Sequence, residues 1–322
     1  MSTLLEVRHL KKYFPVTTGT LHAVDDVSFV LPQGQTLGIV GESGCGKSTL
    51  GKTILRLTNP TSGEVIYNGR DIASISDKEF TALRPELQMI FQDPMSSLNP
   101  RMSVKQQIEE PLLIYNKYPN RAEREQKVLE LMDTVGLARR YAEMYPHELD
   151  GGRRQRIGIA RGLSLEPKLI VCDEPVSALD VLIQAQILNL LMDLQKEKGL
   201  TYMFITHDLS VVKYISNEIA VMYLGQIVEK CETKRLFSHT LHPYTKALLS
   251  AIPVPSLAKK RERILLKGEL ASPINPKPCC RFAPRCNHAC DKCFASVPEL
   301  REVAPGHLVA CHRVEELNEE LN

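Results

Sequence analysis

The stretch Gly41 to Thr49, GESGCGKST, constrains this 322-residue chain more than any other. It fits the pattern GxxxxGK[ST], in which backbone N–H groups cradle phosphate oxygens, a lysine reaches the terminal phosphates and a hydroxyl meets Mg²⁺. Its flanks specify the local fold. Before it the apolar, β-branched run Thr36-Leu-Gly-Ile-Val40 predicts a strand, and after it Leu50, Ile54 and Leu57 recur at helical spacing. Strand, glycine loop and helix in that order set a helix N-terminus, with its unpaired N–H groups and positive dipole end, against an anion. Phosphate contacts are therefore expected from Gly41, Ser43, Gly44, Cys45, Gly46, Lys47, Ser48 and Thr49.

Two later strands carry chemistry that suits such a loop. The run Lys168-Leu-Ile-Val-Cys172 delivers Asp173 and Glu174 at its C-terminal end, where ligands gather in a parallel sheet. Asp173 is expected to hold Mg²⁺, directly or through water, and Glu174 to orient or deprotonate an attacking water. Thr201-Tyr-Met-Phe-Ile-Thr206 then presents His207, which reads equally as a structural histidine or as a donor to a terminal phosphate.

The rest of the chain reads as a core with insertions. Residues 5–40 predict short alternating strands, and SGEVIYNG at 62–69 predicts a strand closed by an Asn-Gly hairpin turn. After Gln88-Met-Ile-Phe-Gln92 a turn-rich loop, 93–100, leads into an inserted helical unit over 103–145. That unit ends at Leu149-Asp-Gly-Gly-Arg153, ahead of the basic, helix-compatible run RRQRIGIARGL. A helix is expected from Val181, with Ala185, Leu188 and Met192 on one face. The implied division is 1–92 and 156–238 for the two halves of the core, 93–155 for a helical subdomain and 239–322 for a C-terminal region.

Forty basic against thirty-eight acidic side chains leave a charge of +2, which gives no argument for nucleic-acid binding. No apolar run approaches the ~18 residues of a membrane span, and MSTLLEVRHLKK lacks a signal-peptide pattern. A soluble, cytosolic protein that meets membranes only through partners is expected. Of nine cysteines, six crowd between Cys279 and Cys311, which in a cytosolic chain points to metal before disulfides.

Together, GESGCGKST, LIVCDE, Gln92, Val176-Ser-Ala-Leu-Asp180 and His207 resemble the Walker A, Walker B, Q-loop, D-loop and switch-histidine elements of ABC transporter ATP-binding subunits. The resemblance covers nearly the entire chain. It implies an α/β P-loop NTPase fold: a RecA-like core, an antiparallel β subdomain and an inserted helical subdomain, with ATP and Mg²⁺ as cofactors. Glu174, His207 and Gln92 take the catalytic roles, and Ser48, Gln92 and Asp173 the metal. Tyr13, in LKKYFP, reads by itself as an ordinary core or surface aromatic; the resemblance makes it the aromatic that stacks on adenine.

The tail, from His242-Pro-Tyr-Thr-Lys-Ala-Leu-Leu-Ser250 through GELASPINP to LVACHRV, resembles the ATPases of oligopeptide, dipeptide and nickel importers. That group implies two similar but distinct ATPase chains beneath two permease subunits, fed by an extracytoplasmic binding protein, on the cytoplasmic face of the membrane. The oligopeptide/dipeptide branch is the expectation; a nickel importer or a mainly regulatory subunit are the alternatives. Cys280, Cys286, Cys293 and Cys311 match the group's cysteines and imply a [4Fe-4S] cluster, as in some members. Zinc, or reduced unligated thiols, remain the other readings.

One motif departs from the family. Where the signature reads LSGGQ, this chain has Leu149-Asp150-Gly151-Gly152-Arg153. In ABC dimers that motif faces ATP held by the other subunit, so Asp150 brings a negative charge towards a polyanion. Asp150 could also cap the next helix, with Gly151 and Gly152 contacting phosphate and Arg153 partly offsetting the charge, but a cap does not remove the repulsion. The expectation is an asymmetric heterodimer in which this chain's loop works with the partner's signature and the opposite site is weak.

Overall fold

The computed structural model describes residues 2–252, 263–268 and 272–318, so part of the expected C-terminal region, including Glu269 to Ala271 of GELASPINP, lies outside them. In chain order the strands are β1 (Thr3–Val16), β2 (Gly19–Pro32), β3 (Thr36–Val40), β4 (Ser62–Tyr67), β5 (Arg70–Asp71), β6 (Leu87–Ile90), β7 (Leu169–Asp173), β8 (Thr201–Thr206), β9 (Glu218–Tyr223), β10 (Gln226–Glu232), β11 (Arg301–Ala304) and β12 (His307–Val309). The helices are α1 (Lys47–Ile54), α2 (Asp77–Leu83), α3 (Pro94–Ser97), α4 (Val104–Ile114), α5 (Arg121–Thr134), α6 (Gly151–Leu163), α7 (Val181–Lys198), α8 (Leu209–Ile215), α9 (Thr233–Ser238), α10 (Pro243–Ser250) and α11 (Asp291–Ala295). They form two compact units: Met1–Leu31 with Thr36–Ser74 and Ile205–Asn322, and Pro32–Gln35 with Ile75–Phe204.

In the first unit, β2-β1-β4-β5 form one sheet. Over 5–40 the expected short strands are two long ones of 14 residues each, followed by the short β3. His9 (φ 47°) and Asp26 (φ 60°) kink them, and the β1–β4 register shifts between Arg8 and Lys11. Such irregularities break the alternation that marks a strand in sequence, so a long strand reads as pieces. The Asn-Gly signal holds: Asn68 (φ 50°) and Gly69 (φ 81°) both sit at positive φ and join β4 to β5.

The same unit holds the strand order β11-β12-β10-β9-β3. Strand β3, buried throughout, pairs parallel with β9, Leu37 opposite Glu218. The cysteine-bearing tail joins this sheet through β12, which pairs antiparallel with β10. A fully buried pair fixes the junction: His307 Nε2 lies 2.8 Å from Glu229 Oε1. The Glu229 carboxylate also accepts the N–H groups of Leu241 and His242 at 2.8 and 3.1 Å.

In the second unit β8, β7 and β6 lie side by side, with β6 and β7 parallel and Leu87 opposite Leu169. The helical insertion starts at Ser103, whose hydroxyl accepts the Gln106 N–H while the Gln106 side chain accepts the Ser103 N–H, a capping box for α4. Asn120 caps α5, and Ile108, Leu112, Val128, Met132 and Ile157 are fully buried among α4, α5 and α6. Helix α7 buries Ile187, Leu188, Leu191 and Leu194. Ala185 is exposed and Met192 only half-buried, because the first turns of α7 stand in solvent, with Val181 80% exposed.

Candidate nucleotide-binding and hydrolysis site

The phosphate loop is shaped by contacts that only glycine permits. A Cβ on Gly41 would lie 2.2 Å from the Met222 carbonyl oxygen, and one on Gly46 2.0 Å from that of Ala23. Gly46, at φ 106°, is the N-cap of α1, and its carbonyl accepts the Leu50 N–H at 2.9 Å. The first turn of α1 thus carries Lys47, Ser48 and Thr49, with their backbone N–H groups aimed out of the helix end. Lys47 is buried, and its Nζ donates to the Gly41 and Glu42 carbonyls at 2.8 and 3.0 Å. Ser43 and Gly44 form the exposed crest, while Cys45 is buried, which raises its thiol pKa.

Residues far along the chain hold this loop. The Glu42 N–H donates to Tyr244 Oη at 3.0 Å, and the Glu42 carboxylate receives Arg285 on both oxygens at 2.6 and 3.1 Å. The Gly225 N–H donates to the Cys45 carbonyl at 2.8 Å, and the Asp25 N–H to the Gly225 carbonyl at 2.8 Å. Asp25 then reaches the aromatic: Tyr13 Oη donates to one of its oxygens and Arg281 to the other. Arg281 also donates to the Leu224 carbonyl. His22 stacks on the Tyr13 ring at 3.9 Å and 23°. Burial, then the Asp25 hydrogen bond, pushes the Tyr13 phenol up. Burial would raise the Asp25 carboxyl, but the Tyr13 hydrogen bond and the Arg281 charge outweigh it and hold it low.

Sequence reasoning picked out Tyr13 and the loop but missed Asp25, His22, Arg281, Arg285, Glu42 and Tyr244. No local signal marks them. Arg281 and Asp25 are 256 positions apart, and only the placement of Arg281 and Arg285 beside Cys280 and Cys286 could have drawn the eye.

In the second unit, β7 ends at Asp173, 3% exposed, and Glu174 follows at φ 46°. Gln92 Nε2 donates to Glu174 Oε2 at 3.0 Å, so two of the three expected catalytic side chains touch. The third, His207, belongs to the first unit and follows β8 as an exposed residue.

Asp150 is the N-cap of α6, its Oδ1 accepting the Arg153 N–H at 2.8 Å, and its Oδ2 takes the Arg153 guanidinium. Gly151 and Gly152 do not precede the helix, as the sequence suggested, but form its first turn. A Cβ on Gly152 would lie 2.6 Å from Ile183 Cγ2.

All nine cysteines are free thiols. Cys280, Cys286, Cys293 and Cys311 line one pocket together with His242, Phe282 and His312. Burial pushes Cys280 up to about 12 and Cys311 up to about 11, and raises Cys286 and Cys293 as well. Cys290 Sγ and Cys293 Sγ lie 3.7 Å apart. Among the described residues, no group of three or more His, Cys, Asp or Glu is arranged to hold a metal ion. The donor set suits a thiolate-ligated metal; the ligand geometry is not formed. No helix among the described residues is long and apolar enough to cross a membrane.

Residues 24–177 match the ABC transporter family, and residues 228–293 match the oligopeptide/dipeptide transporter C-terminal region. The oligopeptide transport ATP-binding protein AppF of Bacillus subtilis is 53% identical over 320 residues, covering 96% of this chain and 97% of AppF. The dipeptide transport ATP-binding protein DppF of Haemophilus influenzae is 51% identical, covering 97% of both. Among solved structures, the ATP-binding cassette MJ0796 in a dimeric post-hydrolysis state with ADP and Pi aligns at a TM-score of 0.66 and 29% identity, over 71% of this chain and 99% of MJ0796. With half its positions shared with these relatives from end to end, the chain belongs to the ABC transporter ATP-binding proteins, in their oligopeptide/dipeptide group.

Proposed function

We propose that the chain is the ATP-hydrolysing subunit of a peptide importer. One observation carries this: a GxxxxGK[ST] loop is built into the same unit as the oligopeptide-transporter tail, through Tyr244, Arg281 and Arg285. Tyr13 stacks on the base. Lys47 and the N–H groups of Gly41, Ser43, Gly44, Cys45, Gly46, Ser48 and Thr49 neutralise phosphate charge. Ser48, Gln92 and Asp173 hold Mg²⁺, Glu174 activates the attacking water, and His207 steadies the terminal phosphate. The Gln92–Glu174 hydrogen bond supports a link between metal sensing and the base.

The nucleotide lies between this chain's loop and the LSGGQ-like signature of a homologous ATP-binding partner, and the reverse site uses Asp150, Gly151 and Gly152 of this chain. Residues 1–92 and 156–238 form the core. The loop after Gln92, with the helical stretch 93–155, receives the cytoplasmic coupling helix of a permease, one of two permease subunits fed by an extracytoplasmic binding protein. The protein is then peripheral on the cytoplasmic face of the membrane. Co-expression with permease and partner ATPase, followed by ATPase assay in proteoliposomes, tests the reading. Peptide should stimulate hydrolysis and Glu174→Gln should remove the share turned over on this chain's own loop; stimulation by Ni²⁺ and not peptide would move the chain to the nickel branch.

The thiols of Cys280, Cys286, Cys293 and Cys311 hold a [4Fe-4S] cluster in this reading, supported by their sharing one pocket. An anaerobic preparation should be brown. A colourless one containing stoichiometric zinc overturns the assignment.

A further inference from the structure

We infer that Arg281 and Arg285, two arginines of the cysteine tail, are positioning residues for the nucleotide: Arg281 sets the adenine platform and Arg285 sets the phosphate loop. The inference rests on the reading that Tyr13 and residues 41–49 bind nucleotide.

Both guanidiniums are deeply placed, with side chains 8% and 11% exposed, and each sits on an acidic partner that serves the site. Arg281 spans Asp25 and the Leu224 carbonyl. Asp25 in turn holds the Tyr13 hydroxyl. Since His22 covers one face of the Tyr13 ring, a base can stack only on the opposite face, and the ring's tilt decides how well it does so. Tilt is set by the hydroxyl's anchor, and the anchor is set by Arg281. Turn residue Gly225, next to the Leu224 carbonyl that Arg281 holds, also donates to the Cys45 carbonyl.

Arg285 grips the Glu42 carboxylate with the planar, two-point geometry that only arginine offers. Glu42 lies inside the loop, and its own carbonyl holds Lys47 Nζ. Between the arginines, Phe282 is wedged against Tyr223, Tyr244 and His242 at ring distances of 5.3, 5.4 and 5.7 Å. Its 3% exposure leaves the segment little freedom to slide, so both arginines are presented from a fixed base. The tail therefore does more than close the sheet edge; it sets both ends of the nucleotide seat.

Calorimetric titration of the full chain with Mg-ADP and with Mg-pyrophosphate separates the two roles. Base stacking on an aromatic is worth about 1–3 kcal/mol, so Arg281→Ala should weaken ADP about tenfold and pyrophosphate less. Arg285→Ala should weaken both ligands alike. In a Tyr13→Ala background, Arg281→Ala should add to the ADP loss no more than it costs pyrophosphate, because the rest of its effect runs through that ring. Arg281→Lys should recover part of the affinity. If Arg281→Ala fails to fold, Asp25→Asn removes the same ion pair and should give the same tenfold loss. Unchanged ADP binding in Arg281→Ala, or losses that multiply fully in the double variant, would overturn the inference. Failure of the underlying reading looks different: Tyr13→Ala or Lys47→Ala would then leave ADP binding intact.

Discussion

Arg153→Gln is expected to damage the assembled ATPase more than any change at Asp150. The Asp150 carboxylate is used twice: one oxygen caps α6 and the other is neutralised by Arg153. The ion pair is half in solvent, its side chains 55% and 44% exposed, so it contributes only about 0–1 kcal/mol to stability. Serine caps a helix as well as aspartate. Asp150→Ser should therefore lower the full chain's stability by no more than about 1 kcal/mol, and Asp150→Ala by about 1–2 kcal/mol because the cap is lost too.

Function should respond differently. With Arg153 present, a facing triphosphate meets a neutral pair; with glutamine there it meets a bare carboxylate. Two unit charges about 6 Å apart at an effective dielectric of about 20 repel by roughly 3 kcal/mol, which is about a hundredfold. ATPase at the site completed by this signature should fall by that order in Arg153→Gln at low salt, recover partly at high salt, and recover further when Asp150→Ser is added. The assay is ATP hydrolysis by the co-purified transporter, with Glu174→Gln in this chain so that turnover reports the other site. Equal rates in Arg153→Gln, Asp150→Ser and the double variant would refute the idea that charge at Asp150 matters to the nucleotide.

Three further outcomes are expected. Burial pushes His242 down to about 4, whereas an unfolded histidine titrates near 6.5; between those values the unfolded chain binds the extra proton, so stability should drop as pH falls from about 6.5 to 4, by up to about 3 kcal/mol from this group. Urea unfolding at pH 7.5 and 5 should show about 2 kcal/mol of that loss, and His242→Asn, which still offers a helix cap, should flatten it. Gly46→Ala forces a side chain into φ 106° and towards the Ala23 carbonyl, so ADP binding measured by calorimetry should be abolished. Phe282→Ala should cost about 3–5 kcal/mol of stability in urea titration by emptying the ring cluster with Tyr223 and Tyr244.

The sequence declares whatever is local. GxxxxGK[ST] between a strand and a helix gave the loop, Asn68-Gly69 gave the β4–β5 turn, and the run before Asp173 gave β7, because each is written in consecutive residues. The length of β1 and β2 was obscured by kinks at His9 and Asp26, which no residue type announces. That Asp150 caps α6 was not decidable from the residues, since only the backbone geometry at Gly151 tells a cap from a loop residue. The bracing of the phosphate loop was illegible: Glu42 and Arg285 meet across 243 positions, and pairing over that distance leaves no periodicity to read.

That distance has a consequence for synthesis. The loop and its strand β3 leave the ribosome early, yet β9, the strand beside β3, comes some two hundred residues later, as do Tyr244, Arg281 and Arg285. At roughly 5–20 residues per second, translation leaves the nascent phosphate loop without these supports for on the order of ten seconds or more. During that interval β3, apolar on both faces, has none of them to lie against. The β12–β10 pairing and the His307–Glu229 bond form only once residues near 309 are out. A nascent chain stalled before Arg281 should thus carry every residue of the phosphate loop and still bind nucleotide more weakly than the finished chain, which ties full ATP affinity to the completion of the tail.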